Sequence, residues 1–320
     1  MHSIDIKTGD EVIVPSMTFA ATANSIVYQG AKPIFADVNK KNLLIDCENI
    51  EAKITKNTKA VIVVDYAGHP VDYDSLRQLS MQYNLNLISD SCHAIGAKYN
   101  NKSIGSLADL STFSFHPVKH ITTGEGGAIT TNNYKVYKKI KLFRNHGISS
   151  DHREREKNGS WFYEMDDIGF NYRINDFQCA LGISQLKKLN EWVKKRNSIA
   201  KIYDEEFLNN KFIKTLHVQN DVLHAYHLYV IKIDFTKLKI DKLNFFRLLK
   251  KNRIGANVHY IPVHLHPFYR KNYKTSIGDC PNSEQAYKEI LSIPIYPTMS
   301  ESDASHVASI IKNLLKENEK

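Results

Sequence analysis

The 320-residue sequence is sparing with cysteine, and that scarcity excludes two kinds of architecture. Its four cysteines, Cys47, Cys92, Cys179 and Cys280, lie far apart. They have neither the paired spacing of a zinc site nor the density of a disulfide framework, so a reducing, cytoplasmic setting is expected. Long apolar runs are also missing. Nowhere do eighteen apolar residues follow one another, so no membrane-spanning helix is expected. The opening, Met1-His2-Ser3-Ile4-Asp5-Ile6-Lys7, has no basic stretch leading into an apolar one and does not read as a secretory signal. Internal repeats and low-complexity tracts are absent too.

What is present is ordinary for a globular chain: 42% apolar and 24% charged residues, enough to bury a large core. The formal charge is +9, but basic and acidic residues are interleaved, as in Lys187 to Lys195 (K-K-L-N-E-W-V-K-K). That pattern reads as a solvated surface rather than a nucleic-acid face, although a positive field suits an anionic small molecule. Lys59 to Asp65 is a continuous apolar, β-branched run of the kind buried on both faces of a sheet. Shorter runs at Glu11–Pro15, Lys32–Ala36, Leu85–Ile88, Leu110–Phe115 and Gly127–Thr131 predict further strands. Helices are predicted over Ser16–Gln29 (capped by Ser16 or Thr18), near Cys47–Ile54, over Asp72–Tyr83 and over Tyr134–Phe143. Strands alternating with helices imply right-handed crossovers and a mainly parallel α/β sheet.

The chain is organised around Ser89 to Gly127, which opens S-D-S-C-H-A-I-G and closes S-F-H-P-V-K-H-I-T-T-G-E-G-G. Asp90 ends one predicted strand and Lys119 follows another. The carboxyl ends of neighbouring strands are where α/β sheets bind ligands. Taken singly, Asp90 reads as a helix cap and Lys119 as a loop residue. Taken together they suit pyridoxal phosphate (PLP), whose aldehyde bonds a lysine and whose ring nitrogen stays protonated against a carboxylate.

These two segments, with I-G-F-N-Y-R-I-N-D at Ile168 to Asp176, resemble the DegT/StrS-type nucleotide-sugar aminotransferases from about Gly9 to the C-terminus. The resemblance implies the PLP-dependent transferase fold of type I. It also implies that Lys119 bonds the cofactor, Asp90 pairs with its ring nitrogen and His93 stacks on the ring. Ser114 would hold the phosphate, Phe19 would face the opposite side of the ring, and Asn171 would reach the phosphate in a partner subunit, giving a homodimer with shared sites. Phe19 reads equally as a core aromatic. His120 stands where many members have proline. Relatives that dehydrate sugars replace the lysine itself by histidine, so Lys119 favours amino transfer. The family pattern begins before Gly9, with a helix start that binds the cofactor's phosphate. The chain is therefore expected to lack that element.

Ser149–Asp167 is polar and aperiodic and reads as a loop near the site mouth, and one helix is expected from Phe177 through Val193. The expected division is a large PLP-binding domain over 1–185, a linking helix over 186–207 and a smaller α+β domain over 208–320. In the last, Tyr226–Ile233 and Ala256–Tyr260 predict strands, and Leu243–Lys251 and Ser302–Leu315 predict helices. His259, His264 and His266 invite a metal, but flanking prolines and the lack of nearby carboxylates oppose one. The resemblance makes His259 and Tyr260 substrate-side residues instead. The implied activity is transfer of an amino group, from L-glutamate, to the 4-keto carbon of a UDP-linked 4-keto-6-deoxy-N-acetylhexosamine in surface-sugar biosynthesis such as the pseudaminic acid route. Two alternatives are a sugar dehydratase using the same cofactor and a non-catalytic relative that binds nucleotide sugar or partner subunits.

Overall fold

A computed structural model describes residues 1–150 and 152–320. The apolar, β-branched runs form strands β1 (Glu11–Pro15), β2 (Lys32–Ala36), β3 (Thr58–Val64) and β4 (Asn86–Asp90). Two-residue strands β5 (Lys98–Tyr99) and β6 (Lys102–Ser103) follow, then β7 (Leu110–Ser114) and β8 (Gly127–Thr130). The six longer strands make one sheet in the order β2-β1-β3-β4-β7-β8. Every pairing is parallel except that of β7 with β8. Helices α1 (Ala20–Val27), α2 (Cys47–Glu51), α3 (Tyr73–Gln82) and α4 (Tyr134–Phe143) lie in the crossovers and beyond β8. This is the mainly parallel α/β sheet that the residue pattern predicts. Local chemistry sets the helix starts: Asp72 accepts the Ser75 N–H at 3.2 Å to open α3, which then buries Leu76 and Leu79.

Three local readings are corrected. The first helix begins at Ala20, not Ser16, and its cap residue Phe19 offers no side-chain bond. Ser16 is engaged with His264, at 2.5 Å, and the Thr18 hydroxyl with that of Thr22, at 2.8 Å, so neither hydroxyl is free to cap. Within the segment expected to be irregular, His152–Lys157 forms α5, and Ile148 bridges to Met165. The single helix expected through Val193 is two: α6 (Asp176–Leu186), opened by a reciprocal Asn175–Gln178 capping box, and α7 (Leu189–Phe207).

A second core forms around β9 (Ile213–Thr215), β11 (Tyr229–Ile233) and β12 (Ile290–Ile293), antiparallel in the order β12-β11-β9. It packs against α7, α8 (Lys242–Lys251) and α11 (Glu301–Glu317). Helix α7 serves both cores: Leu189 and Val193 are buried in the first, and Ile199, Ala200, Tyr203 and Phe207 in the second. The chain does not divide at one point. Strand β10 (Val222–Leu223) returns to pair with β5. Beyond it, α9 (Pro267–Tyr273) and α10 (Pro281–Glu289) lean on the first sheet, where Asp37 accepts the N–H groups of Asn282 and Ser283. No strand forms over Ala256–Tyr260. Only Asn257 pairs there, exchanging main-chain bonds of 3.0 and 2.8 Å with Ser292.

Candidate active site

The floor of the site is built where β3 and β4 end. Asp65, fully buried, accepts hydrogen bonds from Val71 N–H (3.0 Å), the Tyr73 hydroxyl (2.8 Å), Ser89 (3.0 Å) and Ser91 (2.8 Å). Its own N–H donates to the Asp90 carbonyl at 3.1 Å. Desolvation by burial pushes the Asp65 carboxyl up to about 6 despite these four donors. Ser89 and Ser91 flank Asp90, so this lattice fixes the backbone that carries the Asp90 side chain. That carboxylate takes the Thr22 hydroxyl at 2.7 Å and the Cys92 N–H at 3.1 Å, and among the described residues it pairs with no cation. Burial and then Asp90 hold the Cys92 thiol far above its ordinary range, so it stays protonated.

Lys119 sits on the turn after β7, with its N–H on the His116 carbonyl at 2.9 Å. Burial holds its amine below the usual lysine range, while Cys92 and Asp90 pull weakly the other way. His93 is buried, and its Nε2 lies 3.0 Å from the Tyr260 hydroxyl. Burial first, then Lys119 and neighbouring histidines, keep it well below its ordinary pKa, hence neutral. Phe19, 60% exposed, stands with its ring 5.9 Å from that of Tyr260. His259 bonds Ser292 Oγ through Nδ1 at 2.9 Å, receives the Tyr66 hydroxyl on its carbonyl, and is pushed down to about 4, mainly by burial.

The structure thus brings Lys119, Asp90, His93, Phe19, His259 and Tyr260 together at one end of the sheet. Tyr260, expected on the substrate side, has its hydroxyl on His93. Ser114 ends β7, its Oγ taking only the His116 N–H at 3.3 Å. Asn171 is not among them. It is exposed and bridges through its backbone to Asn145. His264, fully buried, spends both ring nitrogens, on Ser16 and on Glu284 Oε1 at 3.0 Å. Sequence reasoning found no carboxylate near it because Glu284 lies twenty residues on. Sequence reasoning also missed His227, whose ring packs 4.4 Å from that of His93, and gave His120 no role. The signal for His227 was the H-A-Y-H run at His224 to His227, far from the lysine motif.

A carboxylate without a cation, a half-buried amine held toward its neutral form and a flat neutral ring with an unpaired buried Nδ1 are the complement of a protonated pyridine aldehyde. The residues present fit PLP.

Comparison with known proteins agrees. The profile of the DegT/DnrJ/EryC1/StrS aminotransferase family matches residues 1–312. An uncharacterized protein of Methanocaldococcus jannaschii is 46% identical over 317 residues, covering 99% of this chain and 82% of that one. The UDP-4-amino-4,6-dideoxy-N-acetyl-beta-L-altrosamine transaminase of Campylobacter jejuni is 40% identical over 310 residues, 95% of this chain and 79% of that one. Among solved structures, Helicobacter pylori PseC, an aminotransferase involved in the biosynthesis of pseudoaminic acid, superposes with a TM-score of 0.89 at 34% identity, over 97% of this chain and 81% of that one.

Proposed function

The chain belongs to the DegT/DnrJ/EryC1/StrS aminotransferase family and is a PLP-dependent sugar aminotransferase of fold type I, and on that premise we propose its reaction and its assembly. The proposed reaction moves an amino group from L-glutamate to the 4-keto carbon of a UDP-linked 4-keto-6-deoxy-N-acetylhexosamine, in the cytoplasm, for a surface sugar such as pseudaminic acid. One observation carries the reading: Lys119, with its amine held toward neutrality, shares a site with Asp90, a carboxylate that pairs with no cation among the described residues. When bound, the cofactor supplies an aldehyde that carries the amino group and a ring that accepts electrons from the donor's α-carbon. Lys119 is the nucleophile for that aldehyde and, once free, the base that moves a proton to and from carbon. Asp90 holds a proton on the ring nitrogen, which favours the electron-rich state of the ring. His93 supplies a flat neutral surface, and Ser114 a hydroxyl for the phosphate. His259 and Tyr260 line the approach for the sugar. The names of the Campylobacter and Helicobacter relatives support the sugar proposed here. Incubation with L-glutamate and the UDP-4-keto sugar should yield 2-oxoglutarate and a product carrying one amino group at carbon 4. Failure with this sugar alongside turnover of another keto sugar would overturn the substrate.

The proposed assembly is a homodimer with shared sites. Tyr134, Phe170, Tyr172, Phe177, Leu181 and Leu186 are all exposed on the flank that carries Asn171, an apolar surface fitted to a second copy. Mixing Lys119→Ala and Asn171→Ala subunits should restore part of the activity, because one site of each mixed dimer is intact. Verified mixed dimers without recovery would show that each site is made by one chain.

A further inference from the structure

Behind Lys119 and His93 lies a cluster of side chains to which the proposed reaction gives no role. The His227 ring stands between two others: 4.4 Å from the His93 ring at an interplanar angle of 38°, and 5.3 Å from the His120 ring at 44°. All three imidazoles are buried. The segment that carries His227 is held from three sides. His120 Nε2 donates to the Ala225 carbonyl at 2.9 Å, which assigns the proton to that nitrogen. Arg196, buried on α7, donates through one nitrogen to the carbonyls of Tyr226 (3.0 Å) and Ile295 (2.9 Å). Ala225 and Leu228 donate their N–H groups to the carbonyls of Gly68 and Ala67. Gly68 makes the approach possible. A Cβ there would stand 2.8 Å from the His93 carbonyl oxygen and 3.0 Å from the His227 nitrogen, at a φ of +98°.

We propose that His227 is a positioning residue for amino transfer: its ring, wedged between His93 and His120, fixes the plane of the His93 imidazole on which the cofactor rests. The proposal rests on the reading of His93 as the stacking residue and deepens it. His93 has one polar partner, Tyr260 on Nε2, which fixes the ring's direction but leaves it free to tilt about that bond. A ring packed in contact with it limits the tilt, and among the described residues His227, inclined at 38°, is the aromatic nearest to it. The support must also stay uncharged, since the Arg196 guanidinium already places a cation beside His227. Burial keeps both supporting histidines neutral, with His120 pushed down to about 3 and His227 well below its ordinary range.

The test compares His227→Ala, which removes the ring, with His227→Phe, which keeps an aromatic wedge and removes the nitrogens. The visible circular dichroism of bound PLP reads the tilt of the cofactor, and quenching of protein fluorescence reads its affinity. His227→Ala should lose most of the dichroic band and bind PLP about three- to tenfold more weakly, as expected for one lost aromatic contact. Its kcat should fall about ten- to hundredfold, the cost of a slightly misplaced reacting group, with the KM for sugar little changed. His227→Phe should recover most of the band and of kcat. A folded His227→Ala that kept band and kcat within twofold of wild type would overturn the proposal, as would a folded His227→Phe as impaired as the alanine. If His227→Ala does not fold, His227→Phe decides alone: a wild-type band supports the wedge and a lost band overturns it. Wild-type protein that formed no visible band with PLP would overturn the role of Lys119 instead.

Discussion

Strand β1 is buried at all five of its positions and β8 at none of its four, although both belong to one six-stranded sheet. The contrast continues outward. On the β1 side, Val12, Ile13, Val14, Ile62 and Leu87 are interior residues, and the Asp65 carboxylate accepts from four donors. On the β8 side, neither α4 nor α6 buries a single residue, and Trp161 and Phe177 are 85% and 90% exposed. A parallel α/β sheet is stable when both faces are covered. The first flank meets that condition within its own chain, and the second meets it through the proposed second copy. The proposed site residues divide accordingly. Asp90, His93 and Lys119 stand on the self-sufficient side or its border, and Asn171 stands on the open one. Polar precision is therefore expected to decide function on one flank, and collective apolar contact on the other.

The sharpest break in that comparison is chemical. Lys119→Ala should lower amino transfer by more than about a thousandfold and abolish the visible band, since the proposed roles of nucleophile and base both fall on it. The melting temperature should move by no more than about 2 °C, because a half-buried turn residue contributes little packing. A variant that kept substantial turnover would refute the assignment of Lys119.

A matched pair of truncations, one on each flank, should separate them next. Leu87→Ala, on buried β4, should cost about 2–5 kcal/mol in denaturant unfolding, the sum of lost transfer energy and a cavity. Phe177→Ala should change the stability of the isolated chain by less than about 0.5 kcal/mol. It should instead shift sedimentation toward monomer. Equal stability losses from the two would erase the distinction between flanks.

A pH slope is expected to belong to the self-sufficient side alone. Asp65 has its folded pKa raised, from the ordinary 3.8 to about 6, so the folded state binds the proton more tightly than the unfolded one. The stability contributed by its neutral form is present below pH 4 and lost as pH rises to 6, by up to about 3 kcal/mol. Asp65→Asn removes that titration. The stability difference between variant and wild type should therefore move in favour of the variant over this interval, and remain flat if the carboxyl ionises normally.

These contrasts also show what a reader of the sequence can and cannot see. Strands β1, β3 and β4 were legible because parallel strands buried on both faces need unbroken apolar runs, and α3 because its apolar positions, Leu76 and Leu79 among them, recur on one face. The nearness of Asp90 and Lys119 was legible because a carboxylate and a lysine at adjacent strand ends suit one cofactor. The start of α1 was not, because the Ser16 hydroxyl is claimed by His264, 248 positions away. Ala256–Tyr260 carries the alternation of a strand, but only Asn257 finds a pairing partner. His227 was invisible for a related reason. What matters is the ring it touches, and no local pattern encodes a contact between segments so far apart in the chain. The two flanks were equally apolar to the eye, since composition does not say which surface stays inside its own chain.

Helix α7 also has a mechanical consequence. Near its start, Leu189 and Val193 press on Gly96 so closely that a Cβ there would stand 2.9 Å from Val193. Farther along, Arg196 grips carbonyls that precede β11 and follow β12. A bending motion between the two cores would have to pull apart the first contact or strip the guanidinium of acceptors worth about 1.5–3 kcal/mol each. Both contacts oppose bending between the two cores along helix α7.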